Sequence, residues 1–236
     1  MQDKNNTKYS GTDELENSEY LRNYNKSIVT EAMKYLNKKT NILDFGAGIG
    51  TLSKIFRDAY GINPICIEID ESNISTLSER GFKYYRNLSE IGDEYSEFIF
   101  SSNVLEHIKD DKETFNDFYE ALNNKGVLFL YLPANQILWS QMDVAVGHYR
   151  RYSKKDLIIK AEQAGFKVQS IFYADCLGFF ATLLMKLTGF NSKNGIGSRS
   201  SLIFYDKYIF PISRFLDRAG LRFLLGKNII IVAKKP

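Results

Sequence analysis

Three glycines at alternate positions, in Leu43-Asp-Phe-Gly-Ala-Gly-Ile-Gly50, separate a short apolar run from an amphipathic one. Glycine removes the side chain where the chain turns, so a ligand can lie directly against the backbone there. Amides at the start of a following helix add hydrogen-bond donors. Glu68 stands eighteen residues after Gly50, at the end of a second apolar run. A carboxylate so placed can accept from both hydroxyls of a ribose. The two pieces together predict a nucleoside-bearing cofactor at the carboxyl ends of the strands. Thr51 stands where the dinucleotide fingerprint wants its third glycine, which weighs against NAD or FAD, and no Gly-Lys-Ser/Thr of a Walker loop follows. Asp70, two residues beyond Glu68, reads as a helix cap.

The elements that must position these residues follow from the apolar pattern. Residues 1–18 are polar and acidic and read as a mobile N-terminal arm. Residues 19–236 read as a single domain, opening with an amphipathic helix over 20–36. Strands are expected at 41–45, 64–69, 82–86, 98–102, 126–132, 166–173 and 228–233, and helices at 52–60, 72–80 and 112–122. Ser153 and Asp156 open a further helix that Gly165 ends. Two apolar helices, 178–187 and 202–216, are joined by a Gly/Ser/Asn-rich link over 191–200, the second kinked or split at Pro211. This alternation predicts an α/β fold with a Rossmann-like, seven-stranded, mostly parallel sheet sandwiched by helices, the last strand antiparallel.

Asp44-x-Gly-x-Gly-x-Gly50, then Glu68, then Ser101-Ser-Asn-Val-Leu-Glu-His-Ile108 after the fourth strand, resembles the class I S-adenosylmethionine-dependent methyltransferases. It is similar in particular to the group with a leu-glu-his sequence at that point. Gly147-His-Tyr-Arg-Arg-Tyr-Ser153 also resembles a stretch found in a subset associated with cell-surface or lipid-linked glycans. The resemblance implies S-adenosylmethionine as cofactor. It implies that Gly46, Ala47, Gly48 and Gly50 line its methionine and ribose portion, with Asp44 organising the loop. Glu68 would hold the ribose hydroxyls, Ile69 would flank the adenine, and Asn87 and Leu88 would lie near the adenine edge. Many relatives carry Asp near that edge, where this chain offers Asn87. Ser102 and Asn103 would end strand four beneath the sulfonium, with His107 on the next turn.

The acceptor side is expected over 134–152 and 176–226. The loop 134–152 carries Trp139, Asp143, His148, Tyr149 and Arg150 as candidate acceptor-binding residues. His148 is the candidate base for an alcohol acceptor, with His107 and Asp143 as alternatives. Arg150 and Arg151 suit a bidentate clamp on an anionic acceptor, or an ion pair with Asp143 or Asp156 that fixes the loop. Two histidines far apart in sequence, without a Cys pair, predict no metal site. Residues 1–120 carry 14 Lys and Arg against 22 Asp and Glu, and residues 121–236 carry 17 against 6. The basic half suits an anionic or lipid-linked small-molecule or glycan acceptor and peripheral membrane contact. Cys66 and Cys176 read as buried thiols of a reducing cytoplasm, and no apolar run reaches the ~20 residues of a membrane span. The expected activity is therefore methyl transfer, on oxygen, at the cytoplasm or its membrane surface. The rival readings are a non-catalytic scaffold that keeps the cofactor fold and an RNA methyltransferase, the latter without a recognisable RNA-binding domain.

Overall fold

Residue 15 and residues 17–36, 41–92, 96–188 and 198–236 are described in a computed structural model of the chain. The arm expected over 1–18 thus lies outside the described residues except at Leu15, Asn17 and Ser18, and the link over 191–200 does so up to residue 197. Seven strands pair into one sheet: β1 (Ile42–Phe45), β2 (Ile65–Ile67), β3 (Tyr84–Tyr85), β4 (Ser96–Ser102), β5 (Leu122–Pro133), β6 (Lys167–Ala174) and β7 (Asn228–Lys234). Their order is β3-β2-β1-β4-β5-β7-β6, with β7 antiparallel to both neighbours.

Side chains of a strand alternate between faces, and here both faces are apolar. Ile99 of β4, Leu128, Leu130 and Leu132 of β5, and Ile229 and Ile231 of β7 face α4 (Asp111–Ala121) and α6 (Lys154–Gln163), meeting Phe115, Phe118 and Leu157. Phe98, Phe100, Phe129, Tyr131, Ile230 and Val232 face α1 (Arg22–Ala32) and α2 (Thr51–Tyr60), meeting Ile28, Val29 and Phe56. Burial on both faces is why these strands read as near-continuous apolar runs. Asp70 caps α3 (Glu71–Glu79), accepting from the amides of Ser72 and Asn73, and Gly61 ends α2 at a positive φ of 69°.

Three boundaries differ from the sequence reading. β5 starts at Leu122 and takes in Asn123 and Asn124, because Leu122 pairs with Ser96 and the extra residues of β5 bulge out before Val127 pairs with Phe98. The loop 134–152 contains a short helix, α5 (Gln141–Ala145), started by a capping box between Ser140 and Asp143. The helix expected over 202–216 is split ahead of Pro211. α8 (Arg199–Phe204) passes into a π turn (Tyr205–Ile209) before α9 (Phe210–Arg218), with Pro211 in the first turn of α9. Proline has no N–H to donate and its ring pushes away the carbonyl four residues back, which widens the preceding turn. The widened turn carries Asp206, whose carboxylate accepts from the amides of Asn23 and Tyr24 at 2.9 and 2.8 Å. It thereby caps α1, which lacks a side-chain cap of its own.

β6 runs parallel to β5, so β6 ends, and β7 begins, at the edge where β1, β2, β4 and β5 also end. The whole segment 175–227, including α7 (Cys176–Leu187), is therefore an excursion from that carboxyl edge. The Lys227 amide donates to the Asp175 carbonyl at 3.0 Å and closes its base.

Phe100 is fully buried between the rings of Phe56 and Phe129, at 5.2 and 5.6 Å. Phe100→Ala is expected to cost about 3–5 kcal/mol; urea denaturation of the two proteins measures it.

Candidate active site

The glycine loop is built by backbone bonds to the neighbouring strand. The amides of Gly46 and Ala47 both donate to the Ile67 carbonyl, at 2.8 and 3.1 Å. Gly46, Gly48 and Gly50 have φ of 71°, 55° and 78°, the left-handed region that side chains resist. Space adds a second requirement: a Cβ on Gly46 would stand 2.4 Å from Cγ2 of Val104, and one on Gly50 2.8 Å from Cδ2 of Leu77. Leu15 lies over Gly48, 3.1 Å from where a Cβ would be.

Glu68 closes this loop. Its Oε2 accepts from the Gly48 amide at 2.7 Å, and its Oε1 from the amides of Ile69 and Asp70 at 2.8 and 2.9 Å. A carboxylate offers roughly four acceptor sites, so three amides aim it and leave capacity for a ribose hydroxyl. Ile69 follows with 79% of its surface exposed, an apolar side chain left open where the adenine is expected. These features fit a nucleoside-bearing ligand. Asp44 works from beneath the loop: it is buried and accepts from the Ser53 hydroxyl at 2.5 Å, tying β1 to α2. Burial pushes its carboxyl up to about 7, with Ser53 opposing and the Glu68 charge adding.

Asn87 is used differently from the resemblance. Its Oδ1 accepts from the Glu90 amide and the Ser89 hydroxyl, and its Nδ2 donates to Glu90, so the side chain caps the turn Leu88–Ile91. Leu88 packs against the core.

Beyond β4, β5 and β6 the chain leaves the sheet through Asn103, Asn135 and Asp175, with φ of 54°, 64° and 64°. A non-glycine residue held there costs of order 1–3 kcal/mol and persists only where its surroundings over-determine it. Asn103 donates its amide to Tyr131 and its Nδ2 to the Ser102 hydroxyl, placing both at the end of β4.

The turn Leu105–His107 follows at once, and the loop 134–152 is laced onto it. The Tyr149 amide donates to the Glu106 carbonyl at 2.7 Å, and the Arg150 guanidinium donates to the carbonyls of Ile108 and Lys109. That lacing brings His148 against His107, ring centroids 4.7 Å apart and nearly perpendicular. The distance in sequence between the two histidines is thus no distance in the fold. With Glu106 they offer three ligand atoms within 4.8 Å of one another.

His148 Nδ1 lies 3.0 Å from Asp143 Oδ1, and Arg151 Nε donates to the same oxygen at 2.7 Å. Burial alone would raise the Asp143 carboxyl, but the His148 bond and the Arg151 charge hold it down at about 2. Asp143 is thus buried, with His148 and Arg151 both on its Oδ1. Arg150 also pairs with Asp111 at 2.9 Å, so these donors fix the loop. Tyr149 is exposed and Trp139 half-buried beyond the turn Gln136–Leu138, both on the open side. Burial, then His148, hold His107 down at about 4, while burial pushes Glu106 up to about 8. The motif reading selects His107 and passes over Glu106, although Glu106 stands beside it in the same leu-glu-his run.

The family described as methyltransferase domain matches residues 18–171. No curated protein matches the chain. A SAM-dependent methyltransferase of Archaeoglobus fulgidus is similar at 19% identity and a TM-score of 0.58, over 89% of this chain and 92% of that one. A SAM-dependent methyltransferase of Thermotoga maritima, described as a possible histamine N-methyltransferase, reaches 0.64 at 14% identity, over 97% and 98% of the two chains. Phosphoethanolamine N-methyltransferase 2 of Haemonchus contortus, in complex with S-adenosyl-L-methionine, reaches 0.60 at 19% identity, over 91% of this chain and 53% of that one. At these identities the structural likeness carries the fold.

Asp44 generates a pH prediction. With its carboxyl near 7 in the fold and an ordinary value of 3.8, the folded protein keeps a proton that the unfolded chain has lost between about pH 4 and 7. The stability this contributes is complete below about pH 4 and is lost as the pH rises through 7. Asp44→Asn keeps an acceptor for Ser53 and cannot ionise. Its stability relative to wild type is expected to improve by roughly 2–3 kcal/mol between pH 5 and pH 8, read from urea denaturation at both values.

Proposed function

This chain belongs to the methyltransferase-domain family, and on that footing we propose that it methylates an oxygen of a small or glycan acceptor carried at a lipid surface. Its cofactor is S-adenosylmethionine. The Glu68-braced glycine loop and Ile69 would hold it across the ends of β1 and β2. Bound there, it supplies a methyl group on a positively charged sulfur. The chain's own residues align the acceptor, which in bimolecular chemistry is worth up to ~7–11 kcal/mol, and make its oxygen nucleophilic. We place that activation at His148. Asp143 holds Nδ1 and leaves Nε2 free of it, 3.9 Å from Glu106 Oε1, next to His107 and one turn from Val104, which packs on Gly46. Leu105-Glu106-His107 supports placing the chain in the leu-glu-his group, with one domain from residue 19 onward.

The observation that carries the acceptor class is the outer surface of the excursion 175–227. Leu184, Leu187, Phe204, Phe215, Phe223 and Leu224 all stand exposed there, among Lys186, Lys207, Arg214 and Arg218. Soluble surfaces rarely leave so many large apolar side chains open together; apolar groups among cations suit an anionic lipid interface. No described helix is long and apolar enough to cross a membrane. The excursion starts and ends at the carboxyl edge, and Lys186 Nζ donates to the Ile137 carbonyl at 2.7 Å, joining α7 to the acceptor loop. A head group carried at this surface would therefore stand beside the histidines.

Two outcomes are expected. Wild-type protein should sediment with phosphatidylglycerol vesicles, and Leu187→Glu/Phe215→Glu should not, with label from methyl-tritiated cofactor entering the lipid-soluble fraction only with wild type; equal sedimentation of both proteins contradicts the acceptor class. His148→Ala should lower kcat by about 10²–10⁴-fold with cofactor affinity unchanged; unaltered turnover contradicts the assignment.

A further inference from the structure

Glu106 is 0% exposed, and neither carboxylate oxygen has a hydrogen-bond partner among the described residues. A carboxylate taken out of water without hydrogen bonds or a counter-charge is costly, and such groups in folded proteins are paired or bind a metal. The nearby Arg151 does not pair it, because Arg151 is engaged by Asp143 and by the Ala134 carbonyl. His148 Nε2 lies 3.9 Å from Glu106 Oε1, too far for a hydrogen bond.

The imidazoles around Glu106 are held in a characteristic way. Asp143 already pairs with Arg151, so it accepts from His148 Nδ1–H, and this leaves the Nε2 lone pair directed at Glu106. The His107 ring stands edge-on to His148, with centroids 4.7 Å apart. A carboxylate or carbonyl on one ring nitrogen, with the other nitrogen presented inward, is the outer-shell arrangement of metal-ligating histidines. The ligand atoms of Glu106, His107 and His148 lie within 4.8 Å of one another. Bonds of ~2.0–2.2 Å to a shared ion would bring neighbouring ligands to about 3–3.5 Å, a contraction of up to about 1.3–1.8 Å from the 4.8 Å limit. Glu106 lies beneath, His148 is half-buried and His107 is exposed, so the three donors occupy one side and the other faces the acceptor space.

We propose that Glu106, His107 and His148 ligate a divalent first-row transition cation, of the manganese or zinc class, which takes the acceptor hydroxyl as a further ligand. Two imidazoles and one carboxylate are the donors such ions favour, and three protein ligands with open positions are the pattern of a catalytic site. A hydroxyl bound to the cation gives up its proton to water and is left as a nucleophilic oxygen. This deepens the proposed function and rests on its placement of acceptor activation at His148. It assigns His148 as a ligand in place of a direct proton acceptor, and Asp143 as the positioning residue that orients it.

Calorimetric titration of the apo protein with Mn²⁺ alone, and separately with Zn²⁺ alone, tests the site without activity. Wild type is expected to bind one ion per chain. Glu106→Gln should weaken that affinity at least tenfold, and Asp143→Asn by 10–100-fold, while both variants keep wild-type affinity for S-adenosylhomocysteine as evidence that the fold stands. Binding that is absent in wild type, or unchanged in Glu106→Gln, overturns the proposal. So does turnover that survives exhaustive chelation yet falls in His148→Ala, an outcome that leaves His148 as the base and the proposed function intact. If neither chelation nor His148→Ala alters turnover, the placement of activation at His148 fails as well.

Discussion

The hydrogen bond from the Gly48 amide to Glu68, 2.7 Å long, joins the two loops that make the cofactor end of this protein. It links the turn after β1 to the end of β2. Around it the other constraints are consistent only one way. The Ile67 carbonyl already takes the amides of Gly46 and Ala47, so the loop turns back over β2. The turn forces Gly46 and Gly50 into left-handed backbone, and Val104 and Leu77 fill the space where side chains would otherwise be. Asp44, bonded to Ser53, holds the base of the same loop to α2. A change at any of these groups reaches the others, because each bonds to or packs against the next.

A second brace sets the acceptor loop. Asp111 is a buried carboxylate that receives Tyr152 at 2.8 Å and Lys160 at 2.7 Å and pairs with Arg150. Buried charges persist when paired and hydrogen-bonded in this way. The cluster anchors the chain just beyond His148, and the Tyr149–Glu106 bond anchors it from the side of the sheet. Held at both points, the loop has little freedom to carry His148 away from His107. The histidine pair is thus a consequence of backbone lacing and a buried ion cluster, and only secondarily of the imidazoles themselves.

Much of this was legible in the residues. The strand–helix alternation and the doubly apolar strands β4, β5 and β7 have strong local signals, and the parallel sheet with its antiparallel last strand follows from them. The glycines and Glu68 were legible because a turn stripped of side chains beside a strand-end carboxylate has few other uses. The meeting of His107 and His148 was not, since it depends on where a long loop is laced and no local pattern encodes that register. The same holds for Arg150, which reads as an anion clamp until its donors are found on Ile108, Lys109 and Asp111. Asn87 is a milder case: the Asn-x-x-Glu pattern of a cap is present in the sequence, and its side chain caps the turn Leu88–Ile91. The π turn before Pro211 was half legible, because proline marks a break without saying how the preceding turn opens.

Glu68 braces the glycine loop through three amides and is the residue expected to reach a bound ribose. Calorimetric titration with S-adenosylhomocysteine, on wild type and on Glu68→Ala, tests it most directly. Saturable binding of one ligand per chain by wild type, weakened at least tenfold (~1.4 kcal/mol) in a variant whose unfolding remains cooperative, is the predicted result. Equal affinity in the two proteins, or none in wild type, would contradict it.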